Sequence, residues 1–298
     1  MDRLQALEVF LAVAEAESFA AGARQMGISA PSATRAVNEL EERLGARLFT
    51  RTTRVVRLTD VGRTYLEEVR GILADLSAAN EAVSGAVGRP KGYLRVTSPV
   101  EFGRIYVAPI VAEYLDLFPG VSASMLMVDR IVNLAEEGLD VGVRIGHLPA
   151  SGLMAVKVGT VRRVVCGSPD YFRRHGVPRS PEDVTKHKIV AAATVTPSNE
   201  WRFGKAQDRL VKVHPRLSVT SVATATALAR SGWGLTRALS YQVGPDLQTG
   251  TLQAVLEEHE PEPLPVHLVH YEGRRVSVKV RSFLDLARDR LRQSTVLN

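Results

Sequence analysis

The chain has 298 residues, 45% of them apolar and 23% charged, an ordinary globular composition with enough length for two domains. A net charge of +6 suits a polyanionic partner without requiring one. The lone cysteine, Cys166, excludes an intrachain disulfide and a thiolate zinc site, and reads as a small buried thiol in a reducing compartment. Acids at Glu8, Glu15 and Glu17 interrupt the N-terminal apolar residues, so this end does not read as a signal peptide. No uncharged apolar run approaches the ~18 residues of a membrane span, and the expectation is a soluble cytoplasmic protein.

Residues 1–60 read as helices followed by a basic tail. Leu4, Leu7, Val9, Phe10, Leu11 and Val13 recur at helical spacing and predict a first amphipathic helix. Ser18 caps a second helix with Phe19, Ala20, Ala23 and Met26 inward, and Gly27 ends it. Ser29 caps a third, with Pro31 in its first turn, an apolar face of Val37, Leu40 and Leu44, and Gly45 as its stop. From Asp60 to about Gly88 no proline interrupts. Tyr65, Val69, Ile72, Leu76, Ala79 and Val83 there form a heptad-like seam that suits a dimer or a helix packed on its own chain. "GRPKG" (88–92) then marks a domain boundary.

Residues 93–298 read as α/β. "YLRVTS", "VSASMLMV" and "DVGVRIG" are strands separated by helices in "EFGRIYVAPIVAEYLDLF" and "RIVNLAEEG". A second set runs through "AVKVGTVRRVVCGS", "PDYFRRHG", "HKIVAAAT", "SVATATALARSG" and "GLTRA", before a late strand "PVHLVHY" and a closing helix "SVKVRSFLDLARDRL". Alternation of this kind predicts parallel sheets in two lobes with a cleft between them.

Two helices joined by a tight glycine-containing turn fit a helix-turn-helix, and the small residues Ala20, Ala21, Gly22 and Ala23 allow the close crossing. The third helix presents Ser29, Pro31, Ser32, Thr34, Arg35 and Asn38, short hydrogen-bonding groups and one forked cation suited to a major groove. Residues 1–42 carry three arginines against seven acids, whereas residues 43–63 carry six arginines against Asp60 alone. Within that basic stretch "LFTRTTRVVRLT" predicts a hairpin wing that sets Arg51, Thr52 and Arg54 against phosphates.

The segment "LEVFLAVAEAESFAAGARQMGISAPSATRAVNELEERLGARLFTRTTRVVRLTDVG" resembles the N-terminal winged helix-turn-helix of LysR-type transcriptional regulators. "RVTSP", "EEGLDVGVRIG", "RRVVCGSPDYFRRHG" and "ARSGWGLT" extend that resemblance over nearly the whole chain. It implies an α/β architecture: a winged helix-turn-helix at 1–59, a linker and dimerisation helix at 60–89, and a two-lobed effector domain similar to periplasmic binding proteins at 90–298. Lobe I would take about 90–160 plus 266–298, and lobe II about 161–265. The resemblance also implies a homotetramer that binds double-stranded DNA under control of a small molecule. Glu17 and Gly22 depart from the small residues or alanine usual at their positions, and Trp233 sits between two glycines.

Effector contacts are expected where strands end and helices begin. The first such point is Thr97, Ser98, Pro99 and Val100, although Ser98 and Glu101 also spell a capping box that would satisfy the same N–H groups internally. Arg144 and Gly146 end another strand; Arg144 would pair an anionic effector or make a structural ion pair. Met127, Asp129, Thr194, Thr196 and Ser221 are further candidates, Ser221 equally as a helix cap, and Trp233 as a wall of the site or a core residue. No metal-ligand spacing, nucleophile elbow or phosphate loop occurs, so no catalytic residue, metal or cofactor is expected. A solute-binding protein would leave residues 1–88 unexplained, and an enzyme lacks a site constellation.

Overall fold

The computed structural model describes residues 2–51, 56–83, 89–149, 152–192, 199–271, 276–294 and 297. The chain divides into two compact units: Met1–Tyr93 with Phe118–Ser122 and Ser277–Lys279, and Leu94–Leu117 with Ala123–Val276 and Val280–Asn298.

The first unit carries α1 (Arg3–Ala16), α2 (Phe19–Gln25), α3 (Ala30–Leu44), an antiparallel pair β1 (Phe49–Arg51) and β2 (Val56–Leu58), and α4 (Asp60–Val83). Glu17 closes α1 in the left-handed region at φ 46°, and the Ser18 hydroxyl accepts from the Ala21 N–H at 3.2 Å to start α2. Gly22 is where α2 crosses α1. A Cβ there would lie 2.7 Å from the Val13 backbone, which accounts for glycine at this position. Phe10, Val13, Ala23, Ala33, Val37, Leu40, Leu48 and Phe49 form the core, with Phe10 stacked at 5.4 Å on both Phe49 and Tyr65.

The wing is tied to α3 by a buried carboxylate. Glu41 is 3% exposed; its Oε1 accepts from the Leu48 and Phe49 N–H groups at 2.8 and 3.0 Å, and its Oε2 from Arg47 Nη1 at 3.0 Å. The start of α4 meets the same point. Thr59 Oγ1 donates to the Arg47 carbonyl at 2.7 Å and accepts from the Gly62 N–H at 2.9 Å, while a Cβ on Gly62 would fall on the Leu48 carbonyl oxygen.

The expected seam on α4 is not uniform. Tyr65, Leu66, Val69 and Leu73 pack into the core of this unit, so the first part of the repeat is occupied within the chain. Ile72 and Leu76 point outward, 51% and 38% exposed, while the side chains of Ala79 and Val83 lie outside the described residues.

The second unit is built on β3 (Gly92–Ser98), α5 (Val100–Phe102), a π turn at Gly103–Val107, α6 (Ala108–Leu117), β4 (Val121–Met127), β5 (Val141–Ile145), β6 (Leu153–Val161), β7 (Arg163–Gly167) and α7 (Pro169–His175). It continues with β8 (Val190–Ala192), β9 (Glu200–Phe203), β10 (Arg209–Lys212), β11 (Leu217–Val219), α8 (Val222–Arg230), β12 (Thr236–Leu239), α9 (Ser240–Thr249), β13 (Gln253–Val255), β14 (Leu264–Tyr271) and α10 (Val278–Arg292). One five-stranded sheet runs β4-β3-β5-β14-β6; a three-stranded sheet runs β12-β7-β13, with pairs β11-β8 and β10-β9 beside it.

Two expectations are corrected here. The sheets are mixed rather than parallel: β3 and β5 pair parallel, as do β8 and β11, but β14 runs antiparallel to both β5 and β6, and β7 antiparallel to β12 and β13. The late strand β14 returns to the first sheet in the reverse sense and lies between β5 and β6. "RIVNLAEEG" is a chain of turns rather than a helix. Its groups are taken by tertiary partners: Val132 and Leu134 bury against Val269, and Asn133 Oδ1 accepts from the Ala135 N–H and the Tyr271 hydroxyl. Cys166 is fully buried and its thiol is pushed up to about 12 by burial, an inert side chain.

Replacing Glu41 by Gln keeps the size but sets an amide donor against the donors of Leu48, Phe49 or Arg47. A loss of about 1–3 kcal/mol in urea unfolding of the full chain is expected; an unchanged midpoint would show that this carboxylate does not hold the wing.

Candidate functional site

In the first unit the exposed side of α3 begins at its cap. Ser29 Oγ accepts from the Ser32 N–H at 3.2 Å and lies 2.8 Å from the Ser32 hydroxyl, so these two side chains engage each other at the helix start. Pro31 and Arg35 are exposed on successive turns. The Thr34 hydroxyl donates back to the Ala30 carbonyl at 2.9 Å and is half-buried. Asn38, expected to point outward, is half-buried instead. Its Oδ1 is buried without a partner beside a cavity of about 300 Å³ lined also by Glu41, Glu42, Gly45 and Arg47. Thr52 and Arg54 lie outside the described residues, as does the side chain of Arg51. Arg47 and Arg57, both exposed, flank the same hairpin.

Glu41 is the residue that sequence reading passed over. Its signal was present: it stands four residues after Val37 and three before Leu44, a carboxylate on the apolar stripe of an amphipathic helix.

In the second unit β3 ends in two buried hydroxyls. Thr97 and Ser98 are 0% exposed, and among the described residues neither Thr97 Oγ1 nor Ser98 Oγ has a hydrogen-bond partner. The expected Ser98–Glu101 capping box does not form. The helix start is served instead by Asp129, whose Oδ1 accepts from the Val100 N–H at 3.1 Å, and Glu101 pairs forward with Arg104 at 2.8 Å. A Cβ on Gly103 would fall on Ser98 Oγ and lie 2.9 Å from Met127 Sδ, so Gly103, at the first position of the π turn, lets Met127 and the hydroxyl share one space. Such π turns recur at functional sites. Beyond it Phe102, Tyr106 and Tyr241 meet edge to face or tilted at 5.0–6.0 Å, joining α5 and the π turn to α9. Burial raises the Tyr241 phenol and holds it protonated.

The other candidates have different surroundings. Arg144 Nη2 donates to the Val132 carbonyl at 2.7 Å and clamps the turns after β4; burial lowers its pKa, with Glu137 opposing. Part of its fork is thus engaged with backbone carbonyls. Gly146 ends β5 at φ +116°, Ser221 caps α8 by accepting from the Thr224 N–H at 3.3 Å, and Trp233 is half-buried. Pro99 is half-buried and Val100 exposed at the end of β3. Thr194 and Thr196 lie outside the described residues.

Residues 4–63 match the bacterial regulatory helix-turn-helix protein, lysR family, and residues 88–292 match the LysR substrate binding domain. The chain belongs to the LysR family of transcriptional regulators. It is 31% identical over 280 residues to the HTH-type transcriptional regulator CrgA of Neisseria meningitidis, covering 94% of each chain, and 32% identical over 287 residues to YhjC of Escherichia coli, covering 95% and 96%. The structure of CrgA matches at TM-score 0.62 and 30% identity over 96% of this chain and 98% of that one. The full-length structure of AphB from Vibrio cholerae matches at TM-score 0.60 and 22% identity, a likeness of fold. This LysR regulator therefore pairs a helix-turn-helix with an effector-binding domain, and among the described residues no helix is long and apolar enough to cross a membrane.

A buried hydroxyl without a partner costs stability that a methyl group does not. Ser98→Ala is expected to leave the ligand-free protein as stable as wild type, or more stable by about 1 kcal/mol in urea unfolding. A loss beyond about 1 kcal/mol would mean that Ser98 already has its partner.

Proposed function

We propose that this regulator binds double-stranded operator DNA as a homo-oligomer and that a small molecule held between two lobes of residues 90–298 shifts that binding. The observation that carries the reading is the exposed N-terminal half of α3, where Pro31 and Arg35 stand clear of the core next to the Arg-rich stretch 43–63. Arg35 makes no hydrogen bond or ion pair among the described residues, which leaves its fork for a base edge or phosphate.

In this reading Ser29, Ser32 and Thr34 shape the helix start, Asn38 lies at the edge of the contact, and the wing residues Arg51, Thr52 and Arg54 hold phosphates. Residues 1–59 form the DNA-binding domain, 60–89 the linker helix that pairs with its counterpart in a second copy, and 90–298 the effector domain. Thr97, Ser98 and Met127 supply lobe I's side of the effector site, whose water-starved hydroxyls give an incoming polar group something to satisfy. The protein acts in the cytoplasm and performs no catalysis; its output is a change of DNA affinity or geometry between two states.

Arg35→Ala is expected to cut the preference for operator over random DNA by about 1–3 kcal/mol. Arg57→Ala is expected to weaken both equally and to lower the salt slope by about one. Fluorescence anisotropy across a salt series reads both, and equal effects of the two variants would contradict base reading by α3.

Ile72→Glu combined with Leu76→Glu is expected to reduce the mass seen by sedimentation, because these two seam side chains are exposed among the described residues. An unchanged mass would place the self-contact elsewhere.

A further inference from the structure

The three-stranded sheet β12-β7-β13 has two faces. One buries Val164, Cys166 and Ala238. The other buries Val165 and Leu235 among Tyr171, Phe172, Trp201, Phe203 and Val255. The pairing register opposes Arg163 to Leu239 and Val165 to Arg237, so alternation along each strand puts Arg163 and Arg237 on the Val165 face as diagonal neighbours. An apolar cluster therefore ends in two arginines side by side.

Both arginines are half-buried, and among the described residues neither has a carboxylate or any hydrogen-bonding partner. The Arg237 guanidinium lies 4.9 Å above the ring of Trp201, which is itself 4% exposed. That contact fixes the plane of the fork but neutralises nothing. Burial lowers both pKa values, and repulsion from Arg163 helps bring Arg237 down to about 10. Glu260 pairs instead with Arg162 at 2.8 Å.

The place of the pair is equally specific. Arg163 begins β7 directly after Arg162, the residue that links it to β6 of the five-stranded sheet. Two residues beyond Arg237, β12 ends at Leu239, where Ser240 Oγ accepts from the Arg162 N–H at 3.1 Å and Tyr241 reaches Phe102. Arg163 thus opens the first strand after the crossing from the five-stranded sheet, and Arg237 lies diagonally across from it on the neighbouring strand.

Half-burying one cation without a counter-charge is unfavourable, and holding two of them side by side is more so. Nothing in the described fold is repaid for it. We propose that Arg163 and Arg237, with Trp201 beneath, form the oxyanion-recognising half of the effector site, so that the ligand of this regulator carries a carboxylate or phosphate group held between two guanidinium forks. The proposal rests on the reading of residues 90–298 as an effector domain and assigns it a ligand class. The role of counterion, expected of Arg144, moves to lobe II; the Thr97 and Ser98 hydroxyls take an uncharged polar part of the same molecule.

The test is thermal unfolding of the full-length protein at matched ionic strength in chloride, inorganic phosphate, succinate and benzoate, with glucose as an uncharged control. Wild type is expected to be stabilised by at least one oxyanion over chloride. Response to succinate or benzoate alone would identify an organic acid, and response to phosphate alone a phosphate. Arg237→Met is expected to abolish the response, or to weaken the apparent affinity roughly tenfold or more, while raising the midpoint in chloride because an unpaired cation has been removed. Arg163→Met, for which no ring contact is seen among the described residues, is expected to do the same and guards against a fold defect from losing the Trp201 stack. If an oxyanion stabilises wild type and both variants alike, the arginine site is wrong while an effector domain survives. If glucose alone stabilises, the ligand class is wrong. If no small molecule shifts wild type and both variants melt lower in chloride, the arginines are structural and the proposal is overturned.

Discussion

The carboxylate of Glu41 accepts from two backbone N–H groups at the start of the wing and from Arg47, and in doing so decides how the chain leaves α3. Leu48, the residue it anchors, is at once a core side chain and the backbone against which Thr59 and Gly62 seat α4. Three elements therefore converge on one residue. The direction of the wing relative to α3, and of α4 relative to both, follows from a handful of hydrogen bonds around Leu48 rather than from the apolar core alone. A buried charge satisfied three times is costly to break and specific in geometry. Both properties suit a unit that must present a helix and a hairpin to one surface.

The second unit differs in degree. The first satisfies its buried carboxylate and leaves Asn38 Oδ1 open, whereas the second leaves several buried polar atoms open among the described residues. Among the described residues the two buried hydroxyls that end β3 have no partner, and two half-buried arginines in the sheet β12-β7-β13 have no counter-charge. Folded proteins pair the great majority of their buried polar groups, so a concentration of orphans in an otherwise well-packed domain marks where a missing partner would bind. Gly103 and its π turn fit the same pattern, since an alanine there would close the space beside Ser98.

Much of the fold was legible in the sequence because its signals are local. The caps at Ser18 and Ser29, the glycine stop at Gly45 and the strand runs around Val141 and Leu268 each depend on a few neighbouring residues. What was misread depends on partners far along the chain. "RIVNLAEEG" has helical spacing, yet Val132 and Leu134 are drawn to Val269 on β14 and the helix is lost. The capping box at Ser98 does not form because the helix starts with Pro99 as its cap, and a distant residue, Asp129, accepts from the Val100 N–H. The α4 repeat looked continuous, but Tyr65 and Val69 are claimed by Phe10 and its neighbours before a second copy can use them. The site was harder still. Arg144 looked like the available cation and is spent on the Val132 carbonyl, whereas Arg163 and Arg237 were two ordinary strand residues until the register set them together.

Sequence-specific DNA binding is the central claim, and selection from genomic fragments tests it most directly. Purified protein is mixed with sheared source DNA at about 150 mM salt, where nonspecific phosphate contacts are weakened, and retained fragments are sequenced. Enrichment of a few discrete sites sharing a motif, lost in Arg35→Ala, is the predicted result. Uniform retention that fades with salt, or no retention at all, would contradict it.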